Sequence, residues 1–195
     1  LVNAVLRSYQ RQFQDLQKIS PLDEEAYYAH PSWLIHTIKK AWPQEWETIL
    51  GNNNLSPPRS LRINLQKETQ AHYIKRLEAI GLSAAPIPYT KSGIILKVPT
   101  EITMLPGFKE GLFSVQDTSA QFAVEFLQLA PHLCVLDACA APGGKTAHML
   151  EIEPTLEVVA IDISESRKKL MSENLNRLNL KATVLTADAN TPANW

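Results

Sequence analysis

Apolar positions along this chain change their period near residue 57 and again near residue 114. Leu1, Val2, Val5, Leu6, Tyr9, Phe13 and Leu16 recur every three or four positions, which predicts an amphipathic helix over residues 1–18. After His30, Pro31 and Ser32, the set Trp33, Leu34, Ile38, Trp42, Trp46, Ile49 and Leu50 predicts two short helices broken near Pro43 and ending at Gly51. The helical spacing of Trp33, Trp42 and Trp46 assigns them to core packing rather than to a base-stacking platform. Pro57 and Pro58 then reset the chain. Residues 60–65 alternate Leu61, Ile63 and Leu65 with Arg62 and Asn64, the pattern of a half-buried strand with Arg62 and Asn64 on its polar face. Thr69 can cap a helix that turns Ala71, Ile74, Leu77 and Ile80 inward and stops at Gly81. Residues 94–98 read as a second strand. A β-α-β unit of about 40 residues is small for a free domain, so it leans on a neighbour.

From Ser114 the pattern becomes α/β. Val115, Phe122, Ala123, Phe126 and Leu127 predict a helix, and residues 133–136 a short buried strand ending at Asp137. A helix follows from about Lys145. Residues 158–161 form a second strand ending at Asp162, and Ser164 opens a helix with Leu170, Met171, Leu175 and Leu178 inward. Residues 183–185 begin a third strand that ends at Asp188. Strands alternating with helices in this way imply a parallel sheet with crossover helices. The chain thus divides into a helical segment (1–56), a small α+β subdomain (57–110) and an α/β part (111–195). No internal repeat or low-complexity tract occurs.

Composition narrows the class without naming it. With 195 residues, 45 % hydrophobic and 20 % charged, the chain is neither collagen-like, disordered nor a disulfide scaffold. No apolar run approaches the roughly 20 residues that cross a bilayer. The chain starts at Leu1 inside a periodic pattern and stops at Trp195 after a strand, so it reads as a piece of a longer protein. Nothing near Leu1 has the form of a signal peptide. The formal charge of −1 hides an excess of three positive charges over residues 57–80 and of three negative charges over residues 21–50. Cys134 and Cys139 are the only cysteines, which predicts a reduced, cytoplasmic setting. The five histidines show no metal spacing and are assigned surface or capping roles.

The chemistry concentrates in the segment from Asp137 to Thr146. A loop between a parallel strand and a helix lies at the carboxyl edge of the sheet, where such folds bind ligands. Gly143 and Gly144 remove Cβ atoms, so backbone can approach a ligand closely or take positive φ. Two further strands end in acids, and Asp162, about 20 residues past the loop, suits a ribose diol. Two cofactor readings compete. Cys139 to Thr146 fits Gly-x-x-x-x-Gly-Lys-Thr except at the first glycine, and Val158 to Asp162 is similar to the strand that presents a Mg²⁺-holding Asp, which makes a P-loop nucleotidase a rival. S-adenosylmethionine needs close backbone approach and acids but no phosphate cradle, and the acid-rich arrangement favours it. A dinucleotide fold is weaker, because no Gly-x-Gly-x-x-Gly occurs.

The run Ala138-Cys-Ala-Ala-Pro-Gly-Gly-Lys-Thr146 resembles the cofactor loop of the Sun/Fmu (RsmB-type) family of RNA cytosine-5 methyltransferases. Phe113-Ser-Val-Gln-Asp-Thr-Ser-Ala120, Ser60-Leu-Arg-Ile-Asn64 and Ala160-Ile-Asp-Ile-Ser-Glu-Ser-Arg167 resemble the same family. The resemblance spans essentially the whole chain. It implies the tail of a NusB-like helical domain, an RNA-binding-like subdomain, and the N-terminal half of a Rossmann-like methyltransferase domain. It also implies a bacterial enzyme that uses S-adenosylmethionine to methylate C5 of one cytosine in small-subunit ribosomal RNA before full assembly, with no membrane and no metal.

Carried across by position, Cys139, Ala140, Ala141, Pro142, Gly143, Gly144 and Lys145 would wrap the methionine part of the cofactor. Asp162 would take the ribose hydroxyls with Arg167 near them, and Asp188 would lie by the adenine. Arg59, Arg62 and Asn64 would contact RNA phosphate or base. Methylation at C5 requires a thiolate that adds to C6 and a base that removes the C5 proton. Cys139 belongs to the cofactor loop, and Cys134 reads as a small core residue. The family's cysteine motifs follow its fourth and fifth strands, so the nucleophile is expected beyond Trp195 and the 195 residues alone are expected to be inactive. A non-catalytic RNA- or ribosome-binding protein that kept the fold is a third reading.

Overall fold

The computed structural model describes residues 1–16 and 23–194. The chain forms two compact units, Leu1–Pro57 and Pro58–Trp195. The first holds α1 (Val2–Leu16), α2 (Glu24–Tyr28), α3 (Ser32–Ala41) and α4 (Trp46–Asn53). Residues 17 and 18 of the predicted first helix lie outside the described residues. Its core is small: Ile35, Ile38 and Leu50 are buried, with Tyr28, Leu34, Trp46 and Ile49 packed against them. Of the three tryptophans assigned to the core only Trp46 packs there, while Trp33 is 68 % and Trp42 54 % exposed. Helical spacing shows that residues share a face; it does not show that anything covers the face. Gly51 lies inside α4 rather than ending it. The short α2 escaped the sequence pattern and is capped by Asp23, whose carboxylate accepts from the Glu25 amide.

The second unit contains two sheets. Its elements are β1 (Arg59–Ile63), α5 (Gln70–Glu78), β2 (Ala84–Pro86), β3 (Gly93–Leu96), β4 (Phe113–Val115), α6 (Thr118–Glu125), β5 (Cys134–Ala138), α7 (Gly144–Ile152), β6 (Glu157–Asp162), α8 (Glu165–Leu178) and β7 (Thr183–Thr186). The first four strands form an antiparallel sheet in the order β2-β3-β1-β4. The predicted β-α-β unit is therefore incomplete: Val115, assigned to a helix, ends an edge strand, and Leu61 pairs with it. Three residues are too few for a period-2 signal to register. Thr69 caps α5 through the His72 amide, and Tyr73 and Leu77 are buried on the sheet. Ile80, expected inward, lies past the helix and is 52 % exposed. The core here is Leu61, Ile63, Tyr73, Leu77, Ile94, Leu96, Leu105 and Phe113.

The last three strands form the parallel sheet that the alternating pattern predicts, in the order β5-β6-β7. Met171, Leu175 and Leu178 of α8 pack on Ala147 and Ala160, whereas Leu170 faces out. Cys134, read as a core residue, is exposed, as is Leu136 at 47 %. A buried run predicts a strand covered on both faces, but β5 pairs only with β6 among the described residues. Among those residues no helix is long and apolar enough to cross a membrane.

The two sheets interlock at the end of α8. Lys67 Nζ donates to the Leu178 and Glu110 carbonyls at 3.1 and 2.9 Å, and Arg177 Nη1 to those of Phe108 and Phe113 at 2.7 and 3.2 Å. Gly111, at φ +67°, passes so close that a Cβ there would fall 2.9 Å from the Arg177 carbonyl oxygen. That neighbour is backbone and cannot swing aside. Gly111→Ala is expected to lose about 1–3 kcal/mol in chemical denaturation, because both the positive φ and the contact oppose a methyl group; an unchanged midpoint would contradict this packing.

Candidate functional site

The three parallel strands deliver carboxylates to one edge of their sheet. In register, Asp137 lies opposite Ala160 and Asp162 opposite Thr186, with Asp188 two residues beyond β7. Between β5 and α7 runs the loop 139–143, and its shape follows from its sequence. Cys139 has φ +72° and Gly143 φ +90°, while the Ala141–Pro142 peptide is cis. Gly143 is the N-cap of α7 in the left-handed region, where a Cβ would meet Met171 Cγ at 3.0 Å, so glycine is the residue that suits this corner.

The loop's own amides are already committed. The Cys139 and Ala140 N–H groups both donate to the Ile161 carbonyl, at 3.0 and 2.9 Å, and the Gly143 N–H to that of Ala140 at 2.7 Å. Ala141 N–H donates to Asp162 Oδ2 at 3.2 Å. Side chains hold the carbonyls: Arg167 Nη2 donates to Ala141 at 3.0 Å and Asn174 Nδ2 to Pro142 at 3.2 Å. Thr146 is fully buried and donates to Asp137 Oδ2 at 2.6 Å. A phosphate cradle needs loop amides pointing outward and a Thr or Ser hydroxyl open to Mg²⁺. This loop has four amides turned inward and its Thr hydroxyl bonded to Asp137, so those groups do not form such a cradle.

Asp162 is 2 % exposed, and its other oxygen accepts from the Ser164 amide at 3.1 Å. Arg167 lies 3.4 Å from Asp162 Oδ2, its own side chain 53 % exposed. Asp188 Oδ1 accepts from the Asn190 amide at 2.9 Å. Cys139, Pro142 and Lys145 are exposed, Gly144 half-buried, and Ala140, Ala141 and Gly143 buried. The predicted cofactor residues of loop and strand ends therefore cluster at one sheet edge.

The predicted RNA-contacting set separates. Arg59 is exposed and donates to the Thr100 carbonyl at 2.8 Å. Arg62 and Asn64 are 0 % and 1 % exposed, so the expectation that alternation places them on a wet face is corrected. Both faces of β1 are covered, because α6 and α7 lie against the side that the pattern left for solvent. Arg62 instead forms a buried ion pair, Nε and Nη2 donating to the two Glu151 oxygens at 2.9 Å each. Much of the positive excess over residues 57–80 is likewise engaged internally, since Arg76 pairs with Glu68 at 2.9 Å and Lys67 holds carbonyls.

His148 also departs from its surface assignment. It is 5 % exposed on α7 beside a cavity of about 550 Å³, and its Nδ1 has no hydrogen-bond partner among the described residues. None of that cavity's lining residues belongs to the loop 139–143. Burial, and then the Arg62 charge, push its pKa down from 6.5 to about 3. The unfolded chain takes up this proton near pH 6.5 and the folded one does not until about pH 3. Stability is therefore full above pH 6.5 and falls as the pH drops through that window, at a slope approaching ~1.4 kcal/mol per pH unit. His148→Gln is expected to flatten the decline between about pH 6 and 5, where ordinary carboxylates stay largely ionised; an identical decline in the variant would contradict it. Among the described residues no group of three or more His, Cys, Asp and Glu is placed to hold a metal.

A family model described as a methyltransferase RsmF/B-like, ferredoxin-like domain matches residues 30–103, and one described as 16S rRNA methyltransferase RsmB/F matches residues 124–195. Ribosomal RNA small subunit methyltransferase B of Pseudomonas syringae pv. tomato is 45 % identical over all of this chain, which covers 44 % of that protein. The protein of the same name from Vibrio cholerae is 43 % identical, again over the whole chain and 45 % of its own length. The chain thus spans about half the length of the curated relatives it matches. A crystal structure of a methyltransferase homologue from Pyrococcus horikoshii superimposes with a TM-score of 0.74 at 26 % identity, over 90 % of this chain and 59 % of that one. The crystal structure of NSun6 from the same organism with SFG shares the fold, with a TM-score of 0.73 at 18 % identity over 85 % of this chain and 67 % of that one. Two matching models and near-half identity along its whole length place the ferredoxin-like sheet and the acid-edged parallel sheet in one lineage, and the chain belongs to the RsmB/F methyltransferase family.

Proposed function

We propose that this chain is part of a cytoplasmic S-adenosylmethionine-dependent enzyme that methylates C5 of one cytosine in small-subunit ribosomal RNA before full assembly of the subunit. The observation that carries the cofactor assignment is the inward commitment of four loop amides beside carboxylates at three strand ends. Such a site repels a polyphosphate and suits a cation. When bound, S-adenosylmethionine supplies an electrophilic methyl group. Cys139 to Lys145 hold its methionine portion, Asp162 the ribose hydroxyls and Asp188 the adenine. A carboxylate offers about four acceptor positions; the Ala141 and Ser164 amides fill part of Asp162 and leave room for a diol. Arg167, half exposed, is the cover that would move.

Arg59, exposed at the start of β1, is retained as an RNA contact. Cytosine C5 is a weak nucleophile, so the reaction needs a thiolate at C6. Cys139 is tied into the cofactor loop and Cys134 lies at the opposite end of β5, which supports a nucleophile in sequence beyond Trp195. Bisulfite sequencing of small-subunit ribosomal RNA tests the reading. Deleting the parent gene is expected to convert one protected cytosine to an unprotected one. A pattern of protected cytosines identical to that of the undeleted strain would overturn it.

A further inference from the structure

Arg62 heads the fully buried side chains by volume, and its position has a consequence beyond stability. Neutralising a buried guanidinium needs only a carboxylate, and Glu151 supplies one with two bonds of 2.9 Å. Arg62 does more. Its Nη1 reaches past Glu151 and donates to the Gly144 carbonyl at 2.8 Å, and also to Gln116 Oε1. Gly144 is the first residue of α7, directly after the Gly143 corner on which the loop turns. Gln116 lies between β4 and α6, and its backbone accepts from Ser60 Oγ at 2.8 Å and Gln121 Nε2 at 3.2 Å. The guanidinium therefore spans from the central strand of the antiparallel sheet to the carboxyl end of the loop on the parallel sheet. Arg167, Asn174 and Asp162 hold the same loop from the other side.

We propose that Arg62 is a positioning residue for the 139–145 loop, fixing the Gly144 carbonyl so that the loop keeps one geometry for its ligand. The ligand half of this inference rests on the cofactor reading given above; the positional half does not. The planar fork of arginine spreads its donors, meeting the Glu151 carboxylate with Nε and Nη2 while Nη1 holds Gln116 and Gly144; a lysine ammonium is a compact point donor that does not reproduce this spread.

The test separates positioning from simple stabilisation by amide hydrogen exchange on the 195-residue chain, with urea unfolding of each variant alongside. Glu151→Gln removes charge pairing but leaves the Nη1 bonds, so it lowers global stability while exchange at residues 139–147 stays within about twofold of wild type. Arg62→Met combined with Glu151→Leu removes both charges and keeps an apolar fill. It is expected to speed exchange in that loop about tenfold while amides of β6 are unchanged. Arg62→Lys, which keeps the ion pair, is expected to loosen the loop as the double variant does and secures the result if the latter fails to fold. S-adenosylhomocysteine affinity should fall about tenfold in the loosened variants and less than about twofold in Glu151→Gln. Unchanged loop exchange, or the same acceleration in Glu151→Gln, overturns the proposal. If wild type binds no S-adenosylhomocysteine but the exchange pattern holds, positioning stands and the cofactor reading falls.

Discussion

Glu151→Leu, with Arg62 left in place, is expected to destabilise the Pro58–Trp195 unit by about 3–5 kcal/mol. Glu151 is 7 % exposed and Arg62 0 %, so removing the carboxylate leaves a guanidinium without water or counter-charge. The Gly144 carbonyl and Gln116 oxygen that remain are neutral acceptors and do not replace a charge. Making the neighbour apolar as well, with Arg62→Met, is expected to recover most of the loss, because two matched hydrophobic side chains avoid the desolvation cost. Urea unfolding followed by far-UV circular dichroism measures both. A single variant within about 1 kcal/mol of wild type would mean that water reaches the pair and that the two sheets are not sealed against each other here.

Phe113→Ala is expected to cost a similar amount, about 3–5 kcal/mol. Phe113 is fully buried in β4 opposite Ile63, its ring 5.4 Å from that of Tyr73 and 5.8 Å from that of Phe108. Truncation removes the contact between those rings and leaves a cavity that neither β1 nor α5 can collapse into, since Leu61 and Leu77 are already packed. Phe113→Leu, closer in volume, is expected to cost less than half as much (about 1–1.5 kcal/mol). Equal losses for Ala and Leu would show that the strand assignment, rather than the packing, is at fault.

These two residues also mark the limit of what the amino-acid pattern reveals. The parallel sheet was legible because its strands are short apolar runs that each lead to an Asp, and Ser164 caps the helix between two of them. The loop was legible from its glycines and from its resemblance to a family. Phe113 was not placed in a strand, because β4 is three residues long and takes its identity from pairing with β1. Arg62 was misplaced for a related reason. Alternation reports which residues share a face, and a polar residue on the alternate face reads as wet unless its partner is known. That partner, Glu151, lies 89 residues away and is brought close only when α7 packs on the sheet. His148 follows the same logic, because neutral imidazole on a helix carries no sequence mark of burial. In the helical unit the error reverses: Trp33 and Trp42 have core-like spacing and nothing packed over them among the described residues.

The loop 139–145 and the acids at the strand ends are proposed to accept a sulfonium nucleoside and not a nucleoside triphosphate. Photocrosslinking of methyl-labelled S-adenosylmethionine to the 195-residue chain, with peptide mapping, addresses this directly. Label is expected on the peptide carrying Cys139 to Lys145, displaced by S-adenosylhomocysteine and not by ATP with Mg²⁺. Label elsewhere in the chain, or displacement by ATP with Mg²⁺ alone, would contradict it.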